Sequence, residues 1–366
     1  MPAQCQSFGL SLLPGSQGTD VRVEGLMTVI QAINVPVPMR DGVQLSTDIR
    51  HPDGPGPFPT LVERTPYNNQ GFVVGDPYLA DGYAVVKQDC RGRFDSEGEF
   101  KPFCEDEDGA DTLAWVKAQP WCDGRVGLIG GSYCTSVQLA AAWTRPPGLM
   151  AITPSVMGCD LFKDLIYYNG VFNLSLAFAW GAAVAGRSVQ GLETTDLESV
   201  FRYLPLSTMD AAAGFNLPYF HEWLAHPNYD DYWAQMSVER HYADFNVPAL
   251  HAGGWYDIYA EGVVRNFCGI RDRGGPQARR AQKLIMGPWG HRLGGQVIGP
   301  MDFGESAAVQ MDPIYKRWLD RWVLGVNNGI ENDPPVRIFV MGANEWRDEG
   351  EWPLTRSVET LSLIHI

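Results

Sequence analysis

The spacing of apolar positions changes character along the chain. From about 27 to 155, short runs rich in β-branched and aromatic residues alternate with turns and helical spacing, the rhythm of a mostly parallel sheet covered by helices. Residues 30–38 and 43–50 read as an opening hairpin around Arg40-Asp41-Gly42, and 59–65 and 83–89 as buried strands. Residues 105–119 read as a helix: the acidic run 105–108 suits its N-terminal dipole, Ala110, Leu113 and Val116 recur at helical spacing, and Pro120 closes it. A short apolar strand at 125–130 then meets a helix at 133–144, ended by Pro146-Pro147.

Between about 158 and 244 the pattern becomes helical and aromatic, with Tyr167, Tyr168, Phe172, Phe178, Trp180, Tyr219, Phe220, Trp223 and Trp233, which predicts a helical cap inserted into the sheet domain. The β/α rhythm resumes with a strand at 248–253, a helix at 258–272, a strand at 282–286 and a long helix at 307–325; residues 336–341 are β-like. The expected organisation is therefore a sheet core in two parts, 27–157 and 245–330, a cap at 158–244, and the beginning of a C-terminal β-rich domain at 334–366, too short to bury a core of its own and expected to be truncated. Residues 1–26 lack clear periodicity, and Met27 is the expected functional start.

Charge and cysteine content narrow what such a scaffold serves. A net charge of −15 argues against nucleic acid or an anionic membrane as partner, because those surfaces recruit Lys and Arg; a small neutral or cationic substrate fits better. Seven cysteines, an odd number without CxxC spacing, suit free thiols in a reducing compartment, and neither a metal site nor a cofactor motif is suggested. No basic segment precedes an apolar one at the N-terminus and no stretch of about 18 apolar residues occurs, so a soluble cytoplasmic protein is expected. The oligomeric state stays open, a homo-oligomer included.

Gly130-Gly131-Ser132-Tyr133 joins the apolar strand to the helix, the place where a nucleophile elbow holds a serine on a strained turn. The usual Gly-x-Ser-x-Gly pattern calls for glycine at 134, where this chain has Cys134, followed by Thr135; both are small enough for the turn to close. A serine hydroxyl needs a base to take its proton and an acid to orient that base. Asp257 follows the strand at 248–253 and His291 the strand at 282–286, so the chain order is Ser, Asp, His, with each residue just past a strand's C-terminal end, as in α/β-hydrolases. The competing readings are Asp257 as a helix N-cap and an ordinary solvated serine; of the other histidines only His251 lies in a core strand, where a hydrogen-bonded structural role fits it better. Cysteine chemistry at Cys134 is disfavoured, because the elbow presents residue 132.

The motifs in order resemble the cocaine esterase and Xaa-Pro dipeptidyl-peptidase group, which also holds α-amino-acid ester hydrolases and glutaryl acylases. They are Arg64-Thr65-Pro66-Tyr67, Asp89-Cys90-Arg91-Gly92-Arg93 with Ser96-Glu97-Gly98-Glu99, Gln119-Pro120-Trp121-Cys122-Asp123-Gly124-Arg125, Gly254-Trp255-Tyr256-Asp257 and Gly287-Pro288-Trp289-Gly290-His291. The resemblance, over roughly 30–345, implies an α/β-hydrolase fold with a helical cap and a jelly-roll-like C-terminal domain, and a catalytic triad of Ser132, Asp257 and His291. It further implies an oxyanion held by the backbone N–H of Tyr133 and the phenol of Tyr67, with Arg91 and Asp89 fixing their loop by an ion pair. Tyr67 as a surface aromatic after a proline turn is the competing reading.

Trp255, Tyr168, Phe172 and Asp164 are the candidate substrate-pocket residues. Peptidases and aminoacyl ester hydrolases of the group need carboxylates for a substrate ammonium, and the positions after Asp257 are instead Ile258, Tyr259 and Ala260; Asp164 and Glu261 leave the cluster incomplete. The resemblance thus implies an esterase or acylase acting on a small ester, amide or short peptide, ahead of an Xaa-Pro dipeptidyl-peptidase or aminoacyl ester hydrolase. A non-catalytic ligand binder on the same fold is the remaining alternative.

Overall fold

The computed structural model describes residues 28–70 and 76–358. The expected start at Met27 and residues 359–366 lie outside them. Ten strands form one sheet: β1 (Val29–Pro38), β2 (Gln44–Pro52), β3 (Phe58–Thr65), β4 (Ala84–Asp89), β5 (Cys122–Leu128), β6 (Leu149–Ile152), β7 (Ala249–Gly254), β8 (Gln282–Gly287), β9 (Val336–Val340) and β10 (Glu345–Glu349). Their spatial order is β1-β2-β4-β3-β5-β6-β7-β8-β9-β10. The β1/β2 hairpin is antiparallel and joins β4 antiparallel; every pair from β4 through β9 is parallel, and β10 turns back along β9.

The helices that position the site are α1 (Asp106–Lys117), α2 (Tyr133–Trp143), α3 (Leu174–Ala183), α4 (Ala260–Arg273) and α5 (Asp312–Leu319). A parallel sheet covered on both faces needs strands that are apolar on both faces. Successive residues accordingly go to opposite sides: Val62 and Val86 pack with Leu113 of α1 and Leu139 of α2, while Leu61 and Val85 pack with Trp318 and Leu319 of α5.

The chain between β6 and β7 is largely helical, and most of its aromatics form a core of their own. Phe178, Phe220, Trp223 and Trp233 are fully buried in one cluster. Among the described residues no helix is long and apolar enough to cross a membrane.

Two expectations are corrected. The described part of the segment from 334 does not begin a separate β-rich domain: Val336, Arg337 and Ile338 pair in parallel with Leu284, Ile285 and Met286, so β9 and β10 extend the central sheet. The cause is apolar burial, since Val336 and Ile338 share a buried cluster with Leu284 and Met286. The long helix expected at 307–325 starts only at Asp312, with Pro313 in its first turn, and runs on through a wider turn to Leu324 before Gly325 ends it at φ 81°.

Candidate active site

Between the end of β5 and the start of α2 the chain turns sharply, and Ser132 sits at φ 57°, ψ −127°. That left-handed region costs a non-glycine residue roughly 1–3 kcal/mol and persists only where neighbours enforce it. Here Ser132 N donates to Ser155 O at 2.9 Å. The Thr135 hydroxyl bonds Gly130 O and Ser155 O and accepts from Ser155 N at 2.8 Å. Gln138, one turn further along α2, donates to Gly130 O and accepts from Thr153 N.

The departure from the glycine pattern has a physical counterpart. Gly130 lies at φ 113°, and a Cβ there would sit 2.6 Å from Cys134 Cβ. The missing side chain at 130 is what leaves room for the cysteine at 134, and the hydroxyl at 135 adds hydrogen bonds that a glycine could not.

The other two expected triad residues lie on the loops after β7 and β8, which are stitched together. Trp255 N donates to Gly287 O and Tyr256 N to Trp289 O, both at 2.9 Å. Gly254 permits this approach, since a Cβ there would lie 2.0 Å from the Trp289 carbonyl oxygen. Trp289 is fully buried, and its indole donates to Ala307 O.

This stitching brings His291 and Asp257 together. Nδ1 of His291 is 3.1 and 3.3 Å from the two Asp257 carboxylate oxygens, and Nε2 is 2.9 Å from Ser132 Oγ. The Asp257 side chain is 1% exposed and that of His291 47%, so the acid is dry and the imidazole reaches the surface of the cleft. Asp257 does not cap α4, whose N-cap residue is Tyr259.

Ser132 and His291 open on a cavity of about 490 Å³ whose walls include Phe103, Met157, Leu165, Ile166, Leu176 and Trp180. The phenols of Tyr67 and Tyr259 also line it. Burial pushes the Tyr67 phenol up to about 12, against hydrogen bonds to Trp180 and Ser132 that favour its ionised form. Tyr133, at the first position of α2, keeps its N–H without an intrahelical acceptor. Its phenol is clamped at the other end, donating to Glu105 Oε1 at 2.7 Å and accepting from Phe103 N at 2.9 Å. Glu105 is buried within 3.7 Å of Arg64, which also approaches Asp108.

The four candidate pocket residues are not in that lining. Trp255 turns toward β9, donating to Phe339 O and packing on Trp352. Tyr168 is exposed, and Phe172 packs on Tyr167 and Phe220 of the helical segment. Asp164 is buried and satisfied: it accepts from Cys159 N and Asp160 N and pairs with Arg265, which also holds Glu261. Nor do Arg91 and Asp89 pair with each other. Arg91 bridges Asp41 and Asp108, whereas Asp89 accepts from Asn69 N. His251 is fully buried with Nε2 2.9 Å from Gln282 Oε1, as a structural histidine should be.

Sequence reasoning missed Trp180, Phe103, Glu105, Thr135 and Gln138. α3 is apolar on nearly every side, so its pattern does not single out Trp180 as a cavity wall. Glu105 reads as one more acid of a helix N-terminus until the fold places Tyr133 against it.

Comparison with known proteins agrees with this architecture. Residues 41–292 match the family described as X-Pro dipeptidyl-peptidase (S15 family). The chain is 34% identical over 358 residues to the cocaine esterase of Rhodococcus sp. (strain MB1 Bresler), covering 90% of this chain and 61% of that protein. An α-amino acid ester hydrolase structure superposes with a TM-score of 0.76 at 25% identity, over 91% of this chain and 60% of the other. A CocE/NonD family hydrolase from Staphylococcus aureus gives 0.70 at 20% identity, over 94% and 60%, and shares the fold. The sheet with its inserted helices is thus that of the α/β-hydrolases, and the chain spans about three fifths of the length of these relatives. With most of its length matched by the family model, the chain belongs to the X-Pro dipeptidyl-peptidase (S15) family.

Proposed function

We propose that this chain is a serine hydrolase that cleaves carboxylic esters or amides through an acyl-enzyme, with Ser132 as nucleophile, His291 as general base and Asp257 as the acid that orients it. The observation that carries this reading is the unbroken hydrogen-bonded line from Asp257 through His291 to Ser132, opening on an apolar cavity. His291 takes the Ser132 proton as Oγ attacks the acyl carbon and returns it to the leaving group; water activated by the same imidazole then releases the acid. The Tyr133 N–H and the Tyr67 hydroxyl serve as oxyanion donors, each worth about 3 to 4 kcal/mol in the transition state.

The cavity chemistry favours an esterase or acylase. Among the described residues, Asp257 is the one carboxylate in its lining, and its charge faces His291; Asp164 lies outside that lining and is paired with Arg265. A substrate ammonium, which dipeptidyl-peptidase or aminoacyl ester substrates bring, finds no free acid there, whereas an apolar or aromatic acyl group fits the walls. The family's name and the α-amino acid ester hydrolase relative support the second reading, an Xaa-Pro dipeptidyl-peptidase or aminoacyl ester hydrolase. In this proposal residues 27–157 and 245–330 form the catalytic unit, 158–244 cap it, and the protein works in the cytoplasm, which the six free cysteines among the described residues support.

The test is turnover of p-nitrophenyl esters by wild type and Ser132→Ala, beside prolyl-dipeptide and aminoacyl ester substrates. The variant is expected to fold and lose turnover, and the wild type to prefer the aryl ester. Wild-type rates in the variant, or a folded protein whose Ser132 takes no fluorophosphonate label, overturn the reading in favour of a ligand binder.

A further inference from the structure

The Trp180 indole nitrogen lies 3.1 Å from the Tyr67 hydroxyl oxygen. An indole N–H donates and has no lone pair to accept with. At this contact Tyr67 is therefore the acceptor, and its own proton has to point elsewhere. Tyr67 and Ser132 line the same cavity, and the Ser132 hydroxyl weighs on the phenol beside the indole of Trp180. From this juxtaposition we infer that Trp180 is a positioning residue for hydrolysis: by occupying a lone pair of the Tyr67 oxygen, it commits the phenol's proton to the side of the cavity where the oxyanion forms.

Two further contacts make the pair rigid. Arg93, fully buried, donates from Nε to Pro66 O at 2.9 Å and from Nη1 to Val184 O and Gly186 O. It therefore ties the residue before Tyr67 to the chain just past α3, the helix that carries Trp180. The Trp180 ring also stacks on Tyr133 with centroids 5.7 Å apart and an interplanar angle of 19°. One side chain thus touches the Tyr67 hydroxyl and the ring of Tyr133, the residue whose backbone N–H is the other proposed donor.

The physical gain is twofold. A phenol free to rotate must be reoriented as the anion develops, whereas an oriented one is ready beforehand, which is where oxyanion stabilisation gets its strength. Donation into the phenol oxygen also polarises its O–H, strengthening the next hydrogen bond in the chain by roughly 10–30%. Neither effect needs Trp180 to bind substrate more tightly, so its signature belongs in kcat.

This inference rests on the proposed serine hydrolase reading and is tested by a kinetic cycle on p-nitrophenyl butyrate with Trp180→Phe, Tyr67→Phe and the double variant. Trp180→Phe keeps an aromatic wall and removes the N–H; it is expected to lower kcat about tenfold with KM within about twofold, while Tyr67→Phe costs on the order of a hundredfold. The double variant is expected to match Tyr67→Phe alone, because a group that acts through Tyr67 has nothing left to act on. A Trp180→Phe loss that persists in full in the Tyr67→Phe background, or a raised KM with kcat unchanged, overturns the inference and makes Trp180 a wall. Should Trp180→Phe not fold, the same cycle is run with β-(3-benzothienyl)alanine at 180, which keeps the indole shape without its N–H. Fluorophosphonate labelling of Ser132 in every variant separates this failure from failure of the hydrolase reading, in which the wild type itself takes no label.

Discussion

Acid should loosen the two strands that lead to Asp257 and His291, through His251. This histidine lies on β7, is 1% exposed, and meets Gln282 at the start of β8. Burial pushes its imidazole down to about 4 from an ordinary 6.5, with the Gln282 hydrogen bond opposing the shift only partly. Above pH 6.5 the ring is neutral in both folded and unfolded chains and nothing is lost. Between 6.5 and 4 the unfolded chain binds a proton that the native site refuses, so stability falls with falling pH by about 1.4 kcal/mol per unit, roughly 2 kcal/mol by pH 5. Asp89 works in the opposite sense: burial raises its carboxyl to about 7, so the native state keeps a proton that the unfolded chain gives up, and its contribution grows as pH falls. The raw pH curve therefore mixes both, and the informative quantity is the difference between wild type and His251→Gln. Urea unfolding at pH 7.5, 6 and 5 should show the variant less stable at 7.5, by about 1 kcal/mol for the disturbed hydrogen bond; the gap should shift by about 2 kcal/mol by pH 5, leaving the variant ahead by about 1 kcal/mol. A gap that stays constant across that range refutes the reasoning.

Three other perturbations probe the supports of the site. Gly254→Ala forces a methyl to within 2.0 Å of the Trp289 carbonyl, pushing the Asp257 and His291 loops apart; ester turnover should fall about a hundredfold, and an unchanged kcat contradicts the account of the stitched loops. Thr135→Val keeps the shape of the side chain but strands the Ser155 N–H, while Gly130 O and Ser155 O keep their bonds from Gln138 and Ser132 N; the urea midpoint should report a loss of about 1–3 kcal/mol, which an unshifted midpoint excludes. Glu105→Ala leaves the Tyr133 phenol without its acceptor and removes one of the two carboxylates beside the buried Arg64, leaving Asp108 and the bonds to Gln88 Oε1 and the 105 carbonyl; calorimetry should find about 3 kcal/mol of destabilisation, and a far smaller drop means the cluster is not balanced as described.

How much of this was legible in the sequence depended on the range of the force responsible. Strands β3, β4, β7 and β8 were readable within a residue or two because burial on both faces imposes continuous apolar runs, and that demand is local. The fate of 336–349 was not, since whether a β-like run joins the sheet or starts another depends on β8 having an open edge some fifty residues earlier. The helix expected from 307 failed locally: the alternation of small and apolar residues before Pro313 resembles helical spacing, yet Ala307 closes a short 3-10 turn, Ala308 is extended, and the Ala307 carbonyl meets the Trp289 indole.

The site divides along the same line. That Ser132, Asp257 and His291 come together was legible because each sits in a motif that encodes its own backbone: a turn that needs glycine before it, or a strand end that needs glycine to pass another loop. The candidate pocket residues fall outside the cavity beside Ser132 because aromatic residues in a helical segment satisfy two demands with the same chemistry, filling the segment's own core and lining a cavity. Phe172 and Trp180 look alike in sequence; only the fold separates Phe172, which lies in the turn before α3 and packs on Phe220, from Trp180, which lies on α3 and whose N–H reaches Tyr67. Asp164 errs for a related reason, since a carboxylate near an active site reads as a ligand for a cation until the cation proves to be Arg265, a hundred residues away in the chain. In both cases the partner decides the role, and partners are set by the fold. In the proposed reading, substrate preference turns less on which polar residues are present than on which of them are already satisfied: among the described residues Asp257 is the one carboxylate lining the cavity and it faces His291, while Asp164 lies outside that lining and pairs with Arg265.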